Sequence, residues 1–329
     1  MRYLESPSTD PAFNLALEQV VFDRLPRSEE YFMLWQNDNA IIVGRHQNTH
    51  QEIDAAFVQA HGIQVVRRLS GGGAVYHDLG NLNFTFVVDA ARSVGLDLKL
   101  FCQPVARALG RMGVKAEVTG RNDIAIDGRK FSGNAQYVKD ERVMHHGTIL
   151  FDSDLSVVSQ ALAPSAEKLS AKGVASVRSR VTNVKPFLSP GVTLADFKAQ
   201  LVAAMFEGTD MVPYQFTAED LLAAQRLRES RYATWAWNYG ASPAGAVRKR
   251  RRVEGCGTVE VFLSLDKGRV AQAQFRGDWF GADDAGPLAR LLAGAPLERE
   301  ALTGVLAGVA VGRYISGLTA GDLVDILTQ

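Results

Sequence analysis

Residues 67–81 read RRLSGGGAVYHDLGN, and this stretch carries most of the information about the fold. It follows an apolar run at 63–66 that predicts a strand leading into a glycine-rich loop. Three consecutive glycines carry no side chains, so backbone N–H groups of the loop can approach an anion closely. The two arginines before them offer donors suited to phosphate or carboxylate. The pattern indicates a cradle for a nucleotide or an acyl phosphate.

The loop departs from two familiar phosphate-binding patterns. No Gly-Lys-Ser or Gly-Lys-Thr follows it, as a P-loop would require. The glycines also lack the spacing of a dinucleotide-binding turn. An ordinary glycine turn beside two surface arginines accounts for the stretch about equally well. His77, which follows the loop, adds a polar side chain to the candidate site.

Around the loop, the chain alternates short strands and helices. Asp10 and Pro11 begin a helix with one apolar stripe. Further strands are predicted from apolar runs at 31–35, 40–43 and 82–88. Residues 114–151 predict antiparallel strands, which a purely parallel sheet would lack. The sequence therefore predicts a fold that mixes helices and strands and contains antiparallel hairpins.

A hairpin with polar side chains on one face is predicted around Asp127-Gly128, a favoured two-residue loop. Counting outward from it, Ala125 faces Lys130 and Asp123 faces Ser132. Asp123 and Lys130 are then diagonal neighbours within side-chain reach. The small Ala125 leaves room above the sheet for a ligand. A solvated strand face with an incidental ion pair is the alternative interpretation.

The histidines and cysteines give weaker indications. His145 and His146 are adjacent in a strand-like run, so their side chains point to opposite faces and cannot readily bind one metal. One of them can meet a ligand while the other packs. Cys102 lies in an apolar helical stretch, and Cys256 lies between glycines without a histidine nearby. Neither cysteine is predicted to be a nucleophile.

Composition divides the chain into two domains. It has 329 residues with 36 basic and 36 acidic side chains, and 47% of the residues are hydrophobic. Small residues followed by five basic ones, Arg248–Arg252, predict a linker or exposed loop within 239–255. The prediction is one domain over residues 1–245 and a small α/β domain over 246–329.

Charge, cysteine content and hydropathy limit the class of protein. A net charge of zero argues against a protein that coats nucleic acid. A docking patch for an acidic protein is another interpretation of the basic run. Two cysteines exclude a disulfide scaffold, and no apolar run is long enough to span a membrane. With no signal peptide at the N-terminus, we expect a cytoplasmic protein that binds neither nucleic acid nor membranes.

Taken together, the motifs resemble those of the lipoate–protein ligase A family in its long form with a C-terminal accessory domain. The matching stretches are Asn14–Glu18, Trp35, Gly44–Asn48, Arg67–Asn81, Gly120–Asp123, Arg129–Gly133, His145–Thr148, Ala171–Gly173, Ser176–Asn183 and Trp235–Gly240. The resemblance implies the α+β fold of biotin and lipoate ligase catalytic domains, a mixed central β-sheet with flanking helices. It also implies two reactions with MgATP and lipoate as substrates. Lipoyl-AMP and pyrophosphate form first, and the lipoyl group then passes to a lysine of a lipoyl domain.

The resemblance also implies roles for individual residues. Lys130 matches the essential lysine of the family, close to both the carboxylate and the α-phosphate. The implied nucleotide-binding residues are Arg68, Gly73, Ala74, Val75, Tyr76, Asp123 and Lys130. The implied lipoate-binding residues are Leu15, Trp35, Gly72, His77, Lys130 and His146. Lys172, Arg178 and Arg180 lie in a polar stretch between predicted helices, which indicates either a mobile loop that closes over an anionic intermediate or an ordinary solvated connection. No protein ligand to a metal is assigned. The implied acceptors are lipoyl domains of 2-oxoacid dehydrogenase complexes and the glycine cleavage H protein.

Two other functions stay open. An octanoyl- or lipoyl-transferase of the same superfamily would take acyl groups from a carrier protein, in some members through a cysteine thioester. A non-catalytic binding protein is the alternative of a different class. The preferred acyl chain, lipoate or octanoate, does not follow from the sequence.

Overall fold

The computed structural model describes residues 1–89, 98–119, 123–162, 181–242, 245–277, 279 and 283–329. These residues form two compact units. The first comprises Met1–Arg45, Ile63–Leu162 and the described part of Ala166–Thr234. The second comprises His46–Gly62 and the described part of Trp235–Gln329. The domain boundary at residue 245 stays a prediction.

Runs of strands and runs of helices follow one another along the described chain. The strands are β1 (Arg2–Glu5), β2 (Tyr31–Trp35), β3 (Ala40–Val43), β4 (Gln64–Arg67), β5 (Val75–His77), β6 (Asn81–Asp89), β7 (Ala116–Thr119), β8 (Asp123–Ile126), β9 (Arg129–Lys139), β10 (Arg142–Leu150), β11 (Val212–Pro213), β12 (Gly245–Val253), β13 (Gly257–Asp266) and β14 (Arg269–Gly277). The helices are α1 (Pro11–Arg24), α2 (Thr49–Glu52), α3 (Ala55–Ala60), α4 (Leu98–Arg111), α5 (Leu155–Ala161), α6 (Leu194–Met205), α7 (Ala218–Leu227), α8 (Trp235–Asn238), α9 (Gly286–Leu291), α10 (Arg299–Val305), α11 (Val311–Tyr314) and α12 (Ala320–Thr328).

The first unit is built on an eight-stranded sheet of order β11-β1-β2-β6-β10-β9-β8-β7. Strand β1 runs parallel to β2 and β11, whereas the pairs from β2 to β7 are antiparallel. The predicted α+β fold with a mixed central sheet and flanking helices is confirmed. Asp10 caps α1 by accepting from the N–H groups of Ala12 and Phe13 at 2.8 and 3.1 Å, as the sequence predicts.

The two faces of this sheet have different roles because strand side chains alternate. Phe32 and Leu34 point into a core that includes Cys102 and Val105 of α4 and Phe197 of α6. Met33 and Trp35, one residue along the same strand, belong to the opposite face. The side chain of Glu18 on α1 contacts that opposite face. One face is therefore core, and the other is available for a site beneath α1.

A second sheet, of order β4-β3-β5, holds the glycine-rich loop. Strand β3 is parallel to β4 and antiparallel to β5, so the loop between β4 and β5 crosses from one edge of β3 to the other. The backbone N–H of Arg68 extends the ladder to the carbonyl of Val43 at 3.0 Å. The strand before the loop is thus confirmed, and it fixes where the loop begins.

The Asp127-Gly128 hairpin forms with one difference from its predicted register. Both turn residues have positive φ angles, 49° and 72°, as a type I′ turn requires. Ala125 faces Lys130 as predicted, but a bulge then shifts the pairing, so Asp123 faces Gly133 and not Ser132. The bulge adds one residue to β9, and Phe131 and Ser132 are both fully buried.

The second unit has its own core and corrects the predicted linker. Strands β12, β13 and β14 form an antiparallel sheet against apolar side chains of α9 to α12. Arg248–Arg252 lie within β12, so the prediction of a linker or exposed loop there is wrong. Their charges have partners on neighbouring elements. Arg248 and Arg250 pair with Glu260 at 2.8 and 3.1 Å, and Arg251 lies 3.7 Å from Asp325.

Candidate active site

The first unit contains a cavity of about 150 Å³ between the sheet face beneath α1 and the glycine-rich loop. Its apolar lining residues are Leu15, Trp35, Ile42, Ala74, Val75 and Ala135, and several glycines also line it. The polar lining residues are Arg68, His77, Asn83, Lys130, Asn134, His146 and Thr148. The cavity therefore combines a narrow apolar channel with a few fixed polar groups, as small-molecule sites do.

The floor of the cavity consists of side chains in rows across neighbouring strands. Trp35 pairs with Asn83, and Asn83 pairs with Thr148. One step along the sheet, Thr85 pairs with His146, which pairs with Ala135. Directly opposite residues share a face, so the floor runs continuously from β2 through β6 and β10 to β9. Trp35 and Lys130 consequently lie on strands at opposite sides of the floor.

Lys130 supplies a positive charge at one side of the cavity. Its Nζ lies 2.7 Å from Asp123 Oδ1 on the neighbouring strand, so the predicted contact between these side chains forms. A Cβ added to Gly133 would be 2.9 Å from this Nζ, so the ammonium group lies over that glycine. The backbone of Lys130 is held as well, because the N–H of Thr182 donates to its carbonyl at 2.9 Å.

The Arg68 side chain donates hydrogen bonds to the glycine-rich loop. Its Nη2 donates to the carbonyls of Gly71 and Gly73 at 2.7 and 2.8 Å, and its Nη1 donates to the carbonyl of Ile42 at 3.0 Å. Its Nε donates to Ser70 Oγ at 3.0 Å. Burial lowers the pKa of Arg68 to about 10, and the Glu18 carboxyl opposes this shift. The guanidinium is still charged at neutral pH, and four of its contacts hold the loop and β3.

A close approach of two backbones makes glycine necessary at the loop. Gly44, directly after β3, has no room for a side chain, because a Cβ there would collide with the carbonyl oxygen of Gly72. Gly72 has a φ angle of 94°, which residues other than glycine rarely adopt. The loop therefore packs directly on the end of β3, and its conformation depends on both glycines.

A chain of buried hydrogen bonds joins the loop to the cavity floor. Ser70 Oγ accepts from Arg68 and forms a second hydrogen bond, of 2.6 Å, with His146 Nε2. His146 Nδ1 then donates to Glu18 Oε1 at 2.8 Å. Glu18 Oε1 also accepts from Thr85 Oγ1 at 2.7 Å, and Thr85 accepts from Trp35 Nε1 at 2.9 Å. Both ring nitrogens of His146 are therefore used inside the protein.

The two adjacent histidines of β10 point to opposite faces, as predicted. His146 faces the cavity, whereas the His145 ring stacks on Phe101 of α4 at 4.8 Å and an interplanar angle of 18°. His145 Nε2 donates to Asn134 Oδ1 at 3.2 Å. In the described parts of the chain, no three His, Cys, Asp or Glu side chains are arranged to hold a metal ion.

Glu18 is expected to stabilise the floor through a single carboxylate oxygen. Replacing it by alanine removes the acceptor of His146 and Thr85, and each buried donor left unpaired costs about 1–3 kcal/mol. Glu18→Ala should therefore lower the free energy of unfolding by about 2–5 kcal/mol. Glu18→Gln keeps the accepting oxygen and should cost much less. Urea denaturation of both variants measures the difference, and equal losses would contradict the arrangement.

Buried neutral histidines are expected to make stability depend on pH. Burial lowers the pKa values of His50, His77 and His145 from 6.5 to about 4, 3 and 3. Below pH 6.5 the unfolded chain binds protons at these residues, whereas the folded chain does not. Each histidine should therefore remove about 1.4 kcal/mol of stability per pH unit as the pH falls from 6.5 towards its folded value.

Denaturation at pH 7.5, 6.5 and 5.5 measures this slope. His145→Phe keeps a ring beside Phe101 and removes one group that binds a proton only in the unfolded chain. The slope of the unfolding free energy against pH should therefore fall by about 1.4 kcal/mol per pH unit, whatever the effect on absolute stability. His46→Gln, at an exposed position, is the control. Identical slopes in the wild type and His145→Phe would show that the histidine does not contribute.

The structure brings most of the predicted site residues together. Those that line the cavity are Leu15, Trp35, Arg68, Gly72, Gly73, Ala74, Val75, His77, Lys130 and His146. Asp123 adjoins it through Lys130, whereas the Tyr76 hydroxyl donates to Asn39 Oδ1 at 3.1 Å and its side chain does not line the cavity. Lys172, Arg178 and Arg180 lie outside the described residues. Sequence reasoning missed Asn83 and Thr85, although their alternation with Leu82, Phe84 and Phe86 was a visible signal.

Two sequence families match nearly the whole chain. Residues 10–206 match the lipoyl protein ligase A/B catalytic domain. This class of protein agrees with the fold and the cavity described above. Residues 242–327 match the bacterial lipoate protein ligase C-terminus. The chain is 40% identical over 321 residues to lipoate-protein ligase LplJ of Bacillus subtilis, covering 97% of each chain. It is 38% identical over 320 residues to lipoate–protein ligase 1 of Staphylococcus aureus, again covering 97% of each. The chain belongs to the lipoate–protein ligase family and is an enzyme of the ligase class.

Solved structures support the same assignment. The bipartite lipoate protein ligase of Thermoplasma acidophilum, described with its E2 lipoyl domain, matches with a TM-score of 0.65 and 28% identity, over 73% of this chain and 96% of that one. A T. acidophilum structure with bound lipoic acid matches with a TM-score of 0.62 and 26% identity, over 73% and 98%. A lipoate-protein ligase A bound with ATP matches with the same TM-score, identity and coverage of both chains. No helix in the described parts of the chain has the length and apolar character needed to cross a bilayer.

Proposed function

We propose that this enzyme is an ATP-dependent lipoate–protein ligase that works through lipoyl-AMP. A carboxylate oxygen of lipoate attacks the α-phosphorus of ATP, a mixed anhydride forms, and the bond to the departing pyrophosphate breaks. The ε-amino group of an acceptor lysine then attacks the acyl carbon. An amide forms, the bond to AMP breaks, and the attacking nitrogen loses a proton. The observation that carries this proposal is an apolar channel that ends at an ion-paired lysine beside a glycine-rich loop.

Lys130 is proposed as the catalytic residue. Adenylation gathers negative charge between a carboxylate and a phosphate, and an ammonium group fixed in advance stabilises that charge without reorganising. The ion pair with Asp123 and the bond from Thr182 to the Lys130 carbonyl hold the side chain and the backbone. Lys130 would contact both substrates, because it lies where the channel meets the loop.

The loop amides are proposed to bind the phosphates. In a trans peptide the C=O and the following N–H point in opposite directions. Arg68 holds the carbonyls of Gly71 and Gly73, so the N–H groups of Gly72 and Ala74 point away from the arginine. Arg68 would thus act on the nucleotide by fixing the loop. Gly73, Val75, Tyr76 and Asp123 complete the proposed nucleotide-binding set.

The apolar channel is proposed to hold the lipoyl chain between Leu15, Trp35, Gly72, His77 and His146. ATP would enter as its Mg²⁺ complex, and Mg²⁺ is commonly bound through substrate phosphates. The acceptor would be a lipoyl domain of a 2-oxoacid dehydrogenase complex or the glycine cleavage H protein. The low cysteine content supports a reducing cytoplasmic location.

A transferase that uses a cysteine thioester is the second candidate. The chain has two cysteines. Cys102 of α4 is fully buried in the core, Cys256 is buried in the second unit, and neither lines the cavity. This arrangement favours the ligase, because an acyl adenylate is activated without an enzyme nucleophile.

Two assays test the proposal. Radiolabelled pyrophosphate should exchange into ATP only when lipoate is present, and this exchange reports adenylation alone. An apo lipoyl domain incubated with lipoate and MgATP should then gain the mass of one lipoyl group. A lipoyl domain whose acceptor lysine is replaced by arginine is the control. Transfer from an acylated carrier protein without ATP, in the absence of exchange, would favour the transferase instead.

A further inference from the structure

Two buried N–H groups lie at the Trp35 side of the cavity. His77 and Asn83 both line the cavity, and their side chains are 3% and 1% exposed. Within the described parts of the chain, neither His77 Nε2 nor Asn83 Nδ2 finds a hydrogen-bond partner. Buried polar groups are nearly always paired, so two such atoms in one cavity point to a ligand.

The tautomer of His77 follows from its neighbours. The Asn14 amide NH₂ donates to the carbonyls of Ser8 and Gln36 at 3.0 and 2.6 Å and to Asn37 Oδ1 at 2.9 Å. Asn37 must therefore offer its NH₂ group to His77 Nδ1, which lies 3.0 Å away. With Nδ1 accepting, the proton of the neutral ring is on Nε2. Burial lowers the pKa of His77 to about 3, which keeps the ring neutral.

As placed in the structure, the Asn83 side chain has one paired and one unpaired end. Asn81 Nδ2 donates to Asn83 Oδ1 at 2.9 Å, which leaves the Asn83 NH₂ group as the unpaired end. Asn83 pairs directly with Trp35 on the neighbouring strand, and the Trp35 and His77 rings lie 6.2 Å apart. The two donors are thus beside the same tryptophan. Lys130 is on β9, two strands beyond Asn83.

The other polar groups at this side of the cavity are already paired. Trp35 Nε1 donates to Thr85, and both ring nitrogens of His146 are bonded to Ser70 and Glu18. A ligand chain that reaches Trp35 therefore meets apolar surface and two unpaired donors. An all-methylene chain would leave both donors unpaired, whereas a chain with an acceptor at this end would satisfy at least one of them.

We propose that His77 and Asn83 form a distal subsite that selects acyl chains carrying an acceptor atom near their end, such as the dithiolane sulfurs of lipoate, over all-methylene chains such as octanoate. This inference rests on the proposed ligase function. A site built to hydrogen-bond its substrate discriminates against the analogue that lacks the bonding group. Sulfur in a thioether is only a weak acceptor, and the same is expected of dithiolane sulfur, so the discrimination should be modest for lipoate and larger for an oxygen acceptor.

The first test changes the protein. Asn83→Leu and His77→Phe replace the donors by apolar groups, and we measure kcat/KM for lipoate and for octanoate in pyrophosphate exchange. Each variant should lower the lipoate-to-octanoate ratio about fivefold, the value of one net hydrogen bond. Ile42→Val is the matched control, since it alters the cavity wall without changing a donor, and its ratio should stay within twofold. Unchanged ratios in both donor variants would overturn the inference.

The second test changes only the ligand, so it holds even if a variant fails to fold. The wild-type enzyme is given octanoate and an oxo-octanoate whose carbonyl is on the carbon that bears the inner sulfur of lipoate. The oxo acid should have the higher kcat/KM by about tenfold, because its oxygen is a stronger acceptor than sulfur. An oxo acid no better than octanoate overturns the distal subsite. Loss of lipoate-dependent exchange in the wild type would instead contradict the ligase function itself.

Discussion

Replacing Lys130 by alanine is expected to slow lipoate-dependent pyrophosphate exchange by a factor on the order of 10²–10³, the scale for removing one preorganised electrostatic donor. The ammonium group is held by Asp123 at 2.7 Å and lies over Gly133, so its position is set before substrates arrive. Alanine leaves no positive charge there while the carboxylate and phosphate come together. The loss should appear mainly in kcat, because the charge that Lys130 is proposed to stabilise is greatest in the transition state.

The matched control for Lys130→Ala is Lys139→Ala. Lys139 is the last residue of the same strand, is exposed and lies 4.0 Å from Asp140, so its removal tests the loss of a lysine away from the cavity. Exchange by Lys139→Ala should be within twofold of the wild type. Near-normal lipoyl-AMP synthesis by Lys130→Ala would remove Lys130 from the mechanism. Circular dichroism of both variants checks that the fold is intact.

Replacing Arg68 by methionine is expected to lower the free energy of unfolding by about 3–5 kcal/mol, because buried acceptors left without donors cost about 1–3 kcal/mol each. The carbonyls of Ile42, Gly71 and Gly73 would lose the donors that Arg68 provides. The loop amides would no longer be directed by these contacts, so pyrophosphate exchange should fall as well. Urea denaturation and exchange kinetics measure the two effects.

Two further variants separate the charge of Arg68 from its geometry. Arg68→Lys keeps a positive charge but places its donors at one atom, so it cannot reach four acceptors as a guanidinium does. The stability of Arg68→Lys should lie between those of the wild type and Arg68→Met, and its pyrophosphate exchange should remain slow. Arg107→Met, at an exposed position of α4, is the control and should be close to the wild type. A stability of Arg68→Met equal to that of Arg107→Met would show that the loop does not depend on Arg68.

The hairpin shows how far local sequence determines structure. Asp127-Gly128 predicts the turn because both positions need positive φ angles, and the pairs nearest the turn follow from counting. The bulge beyond Ala125 is not predictable in this way. It depends on which face of β9 other elements cover, and both Phe131 and Ser132 find buried environments.

The basic run shows where local sequence gives a wrong prediction. Five consecutive charges indicate an exposed loop when considered alone, yet Arg248–Arg252 lie in a strand. Glu260 pairs with Arg248 and Arg250 only because β12 and β13 form a hairpin, and Asp325 on α12 is remote in sequence from Arg251, so the fold brings it there. Arginine also suits a sheet edge, since its long aliphatic stem can lie along the strand surface while its charge stays in water.

Within the site, the sequence predicted individual side chains better than their connections. Lys130 and His146 were predicted from motifs, but the bonds that join Arg68, Ser70, His146, Glu18 and Thr85 involve the glycine-rich loop and three other elements, α1, β6 and β10. Such a network is a property of packing and carries no local signal. Only the polar alternation of Asn81, Asn83 and Thr85 in an apolar strand could have indicated that the floor of the cavity is polar.

The floor that crosses β2, β6, β10 and β9 also has a consequence for chain length. Three strand spacings of about 4.8 Å separate the strand of Trp35 from that of Lys130, so the floor is about 14 Å wide. Hydrogen bonds between strands fix this width, and no rotamer change can alter it. The sheet would therefore act as a ruler for a substrate whose carboxylate is held at Lys130. A longer acid could fit only by displacing Trp35, whose ring is held in place through Thr85.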